Sequence, residues 1–182
     1  PTLNEKNHIL DLINSISDVL KKKNLIYEII IVDDNSTDGT IDLVKSLLSK
    51  IDFLKLVVRS NLRKNLAQSI NDGIKNAKYD WLLMTDVDCR LSKKWVRSMS
   101  MNYKNSDYVI GLSIVKKINN FTSTFQSIDY RMLMISSCSS TLLGFPLACS
   151  GQNQSYKKSL FNSINGFEKI KNLLQGDDSI FM

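Results

Sequence analysis

The fold of this chain is decided by the stretch Tyr79-Asp80-Trp81-Leu82-Leu83-Met84-Thr85-Asp86-Val87-Asp88-Cys89. Its apolar run, Trp81 to Met84, has the length of a strand and stops at Thr85, after which two carboxylates follow two positions apart. Because residues i and i+2 of extended backbone point to the same side, we expect Asp86 and Asp88 to face one pocket beyond the end of a buried strand. Two carboxylates this close need a positive partner, and paired oxygen ligands suit a hard divalent cation, Mg or Mn, shared with substrate phosphates.

The Asp-x-Asp pattern is weak evidence when it is taken alone. The chain holds 15 Asp among 182 residues, so about one such pair is expected by chance, and one is found. Two solvated loop aspartates are the simpler interpretation until the rest of the chain is considered.

The residues before this stretch alternate between helix and strand patterns. Apolar side chains between residues 9 and 20 recur at helical spacing, and residues 27–32 form a β-branched run typical of a strand buried on both faces. The polar turn 33–40 follows, and the next helix begins there with Asp38 or Thr40 as its N-cap. A strand at 54–58 and a helix at 66–74 complete the alternation, which predicts an α/β fold with a mostly parallel central sheet flanked by helices.

The pattern changes after Cys89. Residues 91–103 are predicted to be helical, residues 108–115 to form a strand, and residues 121–134 to form a second long helix. Residues 132–149 carry no charge, which approaches the length of a membrane span. Their many Ser and Thr, with Gly144 and Pro146, instead favour a helix that packs at a membrane surface or under the acceptor site.

The composition excludes several kinds of chemistry. With 43% hydrophobic and 23% charged residues the chain suits one soluble domain. The formal charge of +6 suits phosphorylated substrates or an anionic membrane face, and no basic stripe interleaves with aromatics as in nucleic-acid binding. Cys89, Cys138 and Cys149 form no CxxC pattern, so we expect reduced thiols. Because His8 is the one histidine, His-based triads are excluded and a general base should be a carboxylate.

Three acid pairs stand at the ends of predicted elements: Asp33 with Asp34, Asp86 with Asp88, and Asp177 with Asp178. The first two follow strand patterns, and a parallel sheet brings the ends of its strands to one edge. Their joint placement is therefore far more specific than any one pair.

At these residues the sequence resembles the family 2 glycosyltransferases, which are inverting enzymes with the GT-A nucleotide-diphospho-sugar transferase fold. The matching stretches lie in family order over nearly the whole chain: Pro1-Thr2-Leu3-Asn4-Glu5, Ile29-Ile30-Ile31-Val32-Asp33-Asp34-Asn35-Ser36-Thr37-Asp38-Gly39-Thr40, Asn71-Asp72-Gly73-Ile74, Thr85-Asp86-Val87-Asp88, Gly151-Gln152-Asn153 through Asn165-Gly166-Phe167, and Gly176-Asp177-Asp178. The resemblance implies one GT-A domain over residues 1–182, without the family's first strand and its C-terminal part.

The resemblance also implies a donor site. Asp34, with Asp33 beside it, would accept hydrogen bonds from the nucleotide base, and Thr2 and Glu5 would line the same pocket. Asp86 would lie near the ribose and the metal.

The resemblance also implies which residues would bind the metal and the diphosphate. Asp88 would ligate a Mg or Mn ion that bridges the diphosphate. The Gly-Lys pair that the family often has before its Asn-x-Gly helix is not in register here, and Arg63 and Lys64 would serve the diphosphate instead. Gly151, Gln152 and Asn153 would form a turn under the donor sugar.

Asp178 matches the family's general base, and Asp177 stands where the family more often has Glu. An inverting transfer needs one carboxylate across the sugar from the leaving group to take the proton of the acceptor hydroxyl. The ordinary structural alternative for this pair is a helix N-terminus whose dipole suits acids.

The partners implied are a nucleotide-diphosphate sugar, with UDP as the preferred nucleotide, and a carbohydrate or lipid-linked acceptor. The resemblance further implies a cytoplasmic protein at the inner face of the cell membrane that takes part in making cell-envelope polysaccharide.

Two other interpretations stay open. Residues 29–35 also look like the opening of a receiver domain, in which Asp86 would accept a phosphoryl group, although no Lys-Pro dipeptide occurs. The chain could also be an inactive GT-A-like fragment that only binds carbohydrate or a partner.

Overall fold

The computed structural model describes residues 1–21, 26–60, 66–115, 120–146 and 149–167. Four residues that the resemblance places in the site, Arg63, Lys64, Asp177 and Asp178, lie outside these ranges.

Helices and strands alternate along the first half of the chain, as expected. In chain order the elements are α1 (Lys6–Lys21), β1 (Ile29–Asp33), α2 (Thr40–Leu48), β2 (Leu54–Val58), α3 (Leu66–Asn76), β3 (Trp81–Met84), α4 (Trp95–Ser100), β4 (Tyr108–Ile110), α5 (Phe121–Leu142), a 3-10 turn (Gly151–Asn153), β5 (Gln154–Lys157) and α6 (Lys158–Ser163).

The first sheet is formed by β1 and β2, which run parallel with Ile29 opposite Leu54 and Asp33 opposite Val58. Thr2 adds a parallel bridge to Asp33 on the same strand. Apolar side chains of α1, β1, α2 and β2 pack into one core, which Val87 also joins. The helix α3 packs on the other face of β1, where Gly73 lies against Val32. Both faces of β1 are therefore covered, which explains its continuous β-branched run.

The second sheet has the order β3-β5-β4, and both of its pairings are antiparallel. Among the described residues the pairing is thus more mixed than the expected mostly parallel sheet. The reason is β5, which is inserted between β3 and β4. A second core holds side chains from α3, β3, β5 and α6 together with Phe167.

Three boundaries differ from the sequence prediction. The helix expected at 91–103 is confined to Trp95–Ser100, and the strand expected at 108–115 ends at Ile110. The helix expected at 121–134 continues to Leu142. In the described part of the chain, no helix is both long and apolar enough to cross a membrane.

The turn before α2 is fixed by Asp38, although Gly39 occupies the N-cap position with a left-handed φ of 92°. One oxygen of Asp38, Oδ1, accepts hydrogen bonds from the Thr40 backbone N–H at 2.9 Å and from its hydroxyl at 2.5 Å. The N-cap is therefore Gly39 and not the predicted Asp38 or Thr40, because the turn needs a left-handed backbone conformation that glycine adopts readily.

Candidate active site

A cavity of about 150 Å³ lies at the carboxyl end of β3, beside the 3-10 turn and the start of α3. Three residues that the sequence assigned to the donor site, Asp86, Gly151 and Gln152, contribute to its wall. The complete lining is Pro1, Leu66, Ile70, Met84, Thr85, Asp86, Ser150, Gly151, Gln152, Gln154 and Phe167. Its position at a strand end is the place where α/β proteins bind ligands.

The two aspartates of the motif are oriented by the residue between them. Val87 is buried in the first core, whereas Asp86 and Asp88 are both exposed. Residues 87 and 88 lie in a turn, which the Cys89 N–H closes onto the Asp86 carbonyl, so the extended backbone expected through Asp88 is not what the structure has. Asp86 lines the cavity, and Asp88 is not among its lining residues.

Cys89 connects this turn to the 3-10 turn. Its backbone N–H donates to the Asp86 carbonyl at 3.3 Å, and its Sγ donates to Gln152 Oε1 at 3.4 Å. Burial raises the pKa of the Cys89 thiol, and the nearby charges of Asp86 and Asp88 raise it further. The thiol thus stays protonated at neutral pH, which is the form that donates to Gln152. Nothing in the sequence around Cys89 predicts this contact; it predicts only a reduced thiol.

Asn153 is held by contacts that anchor the 3-10 turn. Its Oδ1 accepts from Trp95 Nε1 at 2.9 Å, and its Nδ2 donates to the Leu112 carbonyl at 3.1 Å. Its carbonyl accepts the Gly111 N–H at 2.7 Å. Asn153 therefore fixes the turn, while its neighbours Gly151 and Gln152 face the cavity.

Gly111 leaves the room that this arrangement requires. A Cβ at position 111 would lie 2.4 Å from Asn153 Cγ, far inside van der Waals contact. We predict that Gly111→Ala lowers the free energy of unfolding by about 1–3 kcal/mol, because the well-anchored Asn153 side chain must be displaced. Urea denaturation followed by circular dichroism measures this change.

The matched control is the same substitution in an Asn153→Ala background. There the clashing atoms are gone, so Gly111→Ala should add almost nothing. An equal cost in both backgrounds would show that the clash with Asn153 is not the cause.

Asp33 is fully buried at the end of β1 and stabilises the turn that follows it. Its Oδ1 accepts the Ser36 N–H at 2.7 Å, and its Oδ2 accepts the Ser36 hydroxyl at 2.7 Å. Both carboxylate oxygens of Asp33 therefore have partners within the turn.

Asp34 forms an ion pair with Arg59, a residue that the sequence analysis missed. Arg59 follows β2 and is 4% exposed, and its Nη1 lies 2.6 Å from Asp34 Oδ1. The same guanidinium donates to Asp72 at 3.0 Å and to Gln68 and Ser69 at 2.9 Å each. Arg59 thus joins the ends of both parallel strands to α3.

Thr2 lies beside β1, where its N–H donates to the Val32 carbonyl at 2.8 Å and its carbonyl accepts the Asp34 N–H at 2.9 Å. The Thr2 hydroxyl is buried and has no hydrogen-bond partner among the described residues. Pro1, its neighbour, lines the cavity. The segment Pro1–Thr2 therefore connects the acids at the end of β1 to the Asp86 cavity.

Glu5 lies at the start of α1, farther along the same loop. Its carboxylate is 3.1 Å from His8 Nδ1, and its N–H donates to Thr40 Oγ1 at 3.0 Å. The structure thus groups Asp86, Gly151 and Gln152 in one cavity and places Thr2, Asp33 and Asp34 at the adjoining strand end. Glu5, Asp34 and Asp88 do not line that cavity.

Known sequences resemble the chain along most of its length. Residues 1–165 match the sequence model described as Glycosyl transferase family 2. A poly-beta-1,6-N-acetyl-D-glucosamine synthase of Staphylococcus aureus is 32% identical over 162 residues, which is 86% of this chain and 38% of that protein. A dolichol-phosphate mannosyltransferase of Pyrococcus furiosus is 32% identical over 124 residues, which is 66% of this chain and 34% of that protein. The chain therefore spans about two fifths or less of the length of these relatives.

Solved structures share the fold. TarS of S. aureus aligns over 100% of this chain and 52% of its own, with a TM-score of 0.67 and 21% identity. The mannosyltransferase PcManGT of Pyrobaculum calidifontis, solved with GDP-Man and Mn2+, aligns over 98% of this chain and 48% of its own, with a TM-score of 0.67 and 19% identity. These similarities confirm the predicted α/β, GT-A architecture, and the match over residues 1–165 shows that the chain belongs to glycosyl transferase family 2.

Proposed function

We propose that this chain transfers a sugar from a nucleotide-diphosphate sugar to an acceptor hydroxyl with inversion. The observation that carries the proposal is the cavity at the end of β3, where Asp86 shares a wall with Gly151 and Gln152. The hydrogen bond from Cys89 to Gln152 ties the aspartate turn to the turn proposed to lie under the donor sugar. Two stretches 63 residues apart in sequence are thereby brought together at one wall of the cavity.

The nucleotide base is proposed to bind where Thr2 meets the end of β1. Arg59 occupies Asp34 Oδ1, and Asp34 Oδ2 accepts no hydrogen bond from the described residues. That second oxygen would accept an N–H of the base, and the buried Thr2 hydroxyl would gain the partner it lacks. Asp33 holds the adjacent turn, and Glu5 is proposed to border the pocket.

The aspartates of the motif fit a divalent cation, Mg or Mn. Asp86 and Asp88 both have exposed carboxylates. In the part of the chain that the structure describes, no group of three or more His, Cys, Asp or Glu side chains could hold a metal without other ligands. A pair of carboxylates completed by water and substrate phosphates is the usual protein contribution to a Mg site. A cation held there would neutralise the charge that develops on the departing diphosphate.

Asp178 is proposed as the general base, with Asp177 beside it. One carboxylate takes the acceptor hydroxyl's proton as its oxygen attacks the anomeric carbon from the side opposite the diphosphate. Because His8 is the one histidine in the chain, a carboxylate is the side chain suited to this role near neutral pH.

A UDP-sugar is proposed as the donor and a carbohydrate or lipid-linked molecule as the acceptor, in the synthesis of cell-envelope polysaccharide. The support comes from relatives, since one is named for a poly-N-acetylglucosamine and a TarS structure contains UDP-GlcNAc. A location at the inner face of the cell membrane is proposed from the net charge of +6, which attracts anionic lipid. The receiver-domain alternative has no support, because residues 1–165 match a glycosyltransferase family.

We predict that Asp178→Asn leaves donor affinity within about twofold and lowers turnover by about 10²–10⁴-fold, because the amide cannot take a proton. Thermal shifts with UDP-, GDP- and dTDP-sugars and Mn2+ identify the donor, since ligand binding raises the apparent melting temperature. Nucleotide release with that donor then measures turnover.

Asp107→Asn is the matched control, because Asp107 is an exposed carboxylate paired with Lys157 on the second sheet. It should transfer sugar at the wild-type rate. Comparable transfer by Asp178→Asn would remove Asp178 as the base, and donor binding without turnover by the unmodified chain would favour a binding fragment.

A further inference from the structure

The outer face of α5 carries a stripe of exposed apolar side chains. Six of them are between 59% and 86% exposed, and they run the length of the helix: Phe121, Phe125, Ile128, Met132, Ile135 and Leu142. We call these six residues the α5 stripe. Monomeric proteins rarely leave a continuous apolar surface of this extent uncovered.

The spacing of the α5 stripe is that of a helix-pairing seam. Steps of four and three residues alternate from Phe121 to Ile135, and the next two steps fall on Ser139 and Leu142. This 4-3 repeat keeps side chains on one side of a helix over six turns and matches the a and d positions of a coiled coil. A second helix is the structure that such a seam fits best.

The inner face of α5 is polar. Its buried residues are Ser123, Ser127 and Ser137, and Tyr130 donates to Ser150 Oγ at 3.0 Å. Contacts between α5 and any other described helix or strand are sparse. A helix with small polar residues inside and large apolar residues outside lacks the usual cover for its apolar face.

A second copy of the chain suits this face better than a lipid surface. The charged residues of α5 are Asp129 and Arg131, so the helix has no net charge. Helices that lie on a bilayer instead carry a face rich in Lys and Arg. The six side chains expose roughly 800 Å² if each large apolar side chain covers about 200 Å², which is the area that one partner contributes to a standard interface.

We propose that α5 pairs with α5 of a second copy along the α5 stripe, in a dimer with two-fold symmetry. The same patch then serves both subunits, which is the commonest arrangement in soluble oligomers. The pairing is independent of the proposed sugar transfer, since no residue of the stripe lines the cavity.

Neighbouring residues on α5 provide a matched test. Met132 is 60% exposed and belongs to the stripe, whereas Leu133 is 58% exposed and lies about 100° around the helix axis. We expect light scattering coupled to size exclusion to give twice the 20.7 kDa chain mass for the unmodified protein. We expect Met132→Glu to weaken dimerisation at least about 30-fold, as for an interface hot spot, and Leu133→Glu to leave it within about threefold.

Circular dichroism of both variants checks that the fold is retained, and Ile128→Glu repeats the test one turn away if Met132→Glu unfolds the chain. A monomeric unmodified protein at 100 μM would overturn the proposal, as would equal weakening by Met132→Glu and Leu133→Glu. If the unmodified protein is a monomer that floats with vesicles of anionic lipid, and Met132→Glu does not float, then the α5 stripe contacts a membrane. That result would overturn the dimer.

Discussion

Arg59→Met should lower the free energy of unfolding by about 3–5 kcal/mol, the size of effect seen when one partner of a buried ion pair is removed. Arg59 is 4% exposed and pairs with Asp34 at 2.6 Å and with Asp72 at 3.0 Å. Methionine fills much of the same volume but donates no hydrogen bond, so Asp34 loses the cation that compensates its buried charge. Urea denaturation monitored by tryptophan fluorescence gives the difference.

Arg90→Met serves as the control. Arg90 and Asp11 also form an ion pair, at 3.4 Å, but their side chains are 73% and 60% exposed. Solvent screens such a pair, so its loss should change stability by less than about 1 kcal/mol. Comparing the two variants separates the cost of leaving a buried carboxylate unpaired from the effect of losing one positive charge.

A double substitution tests the cause. Adding Asp34→Asn to Arg59→Met removes the uncompensated charge, so the double variant should be more stable than Arg59→Met alone. If the double variant is less stable by the sum of the two single costs, the buried charge is not the source of the effect.

Much of the arrangement around β3 could be predicted from local sequence. The apolar run from Trp81 to Met84 predicts β3 correctly. The structure also buries Val87 between the exposed Asp86 and Asp88, but it does so in a turn and not along extended backbone. The strand β1 could be predicted equally well from its β-branched run, because both of its faces are covered.

Other features depend on partners distant in sequence. From sequence alone, an arginine that follows a strand, such as Arg59, is expected to be a solvated charge. Its burial depends on α3, which places Asp72 beside it. The strand β5, Gln154–Lys157, has little strand propensity and forms because β3 and β4 flank it. Likewise β4 ends at Ile110 because its partner strand β5 begins at Gln154, directly after the 3-10 turn. The Gly111 N–H makes the last bond in register, to the Asn153 carbonyl.

Asp88→Asn should abolish metal-dependent donor binding and lower turnover by about 10²–10³-fold, as when a group that stabilises transition-state charge is removed. Asp88 is exposed, and its neighbour Val87 is buried in the first core, so an isosteric amide should leave the fold intact. Asparagine keeps the size of the side chain but loses the negative charge that attracts a divalent cation. The loss should therefore fall on cation-dependent binding and not on stability.

Asp52→Asn is the matched control, because Asp52 is exposed and precedes β2, at the end of the strand opposite Arg59. Asp52→Asn removes one negative charge, as Asp88→Asn does. It therefore tests whether the net charge of the chain alone changes UDP binding or turnover. We expect its turnover and UDP binding to equal those of the unmodified protein.

Isothermal titration calorimetry with UDP is the most direct test of the central claim. That claim is that the acids at the strand ends form a nucleotide site that depends on a divalent cation. The titration is made with Mn2+ and again after chelation by EDTA, on the unmodified chain, Asp52→Asn and Asp88→Asn. We predict Mn2+-dependent UDP binding by the first two proteins and none by Asp88→Asn. Equal UDP binding by all three proteins, with and without Mn2+, would contradict the claim.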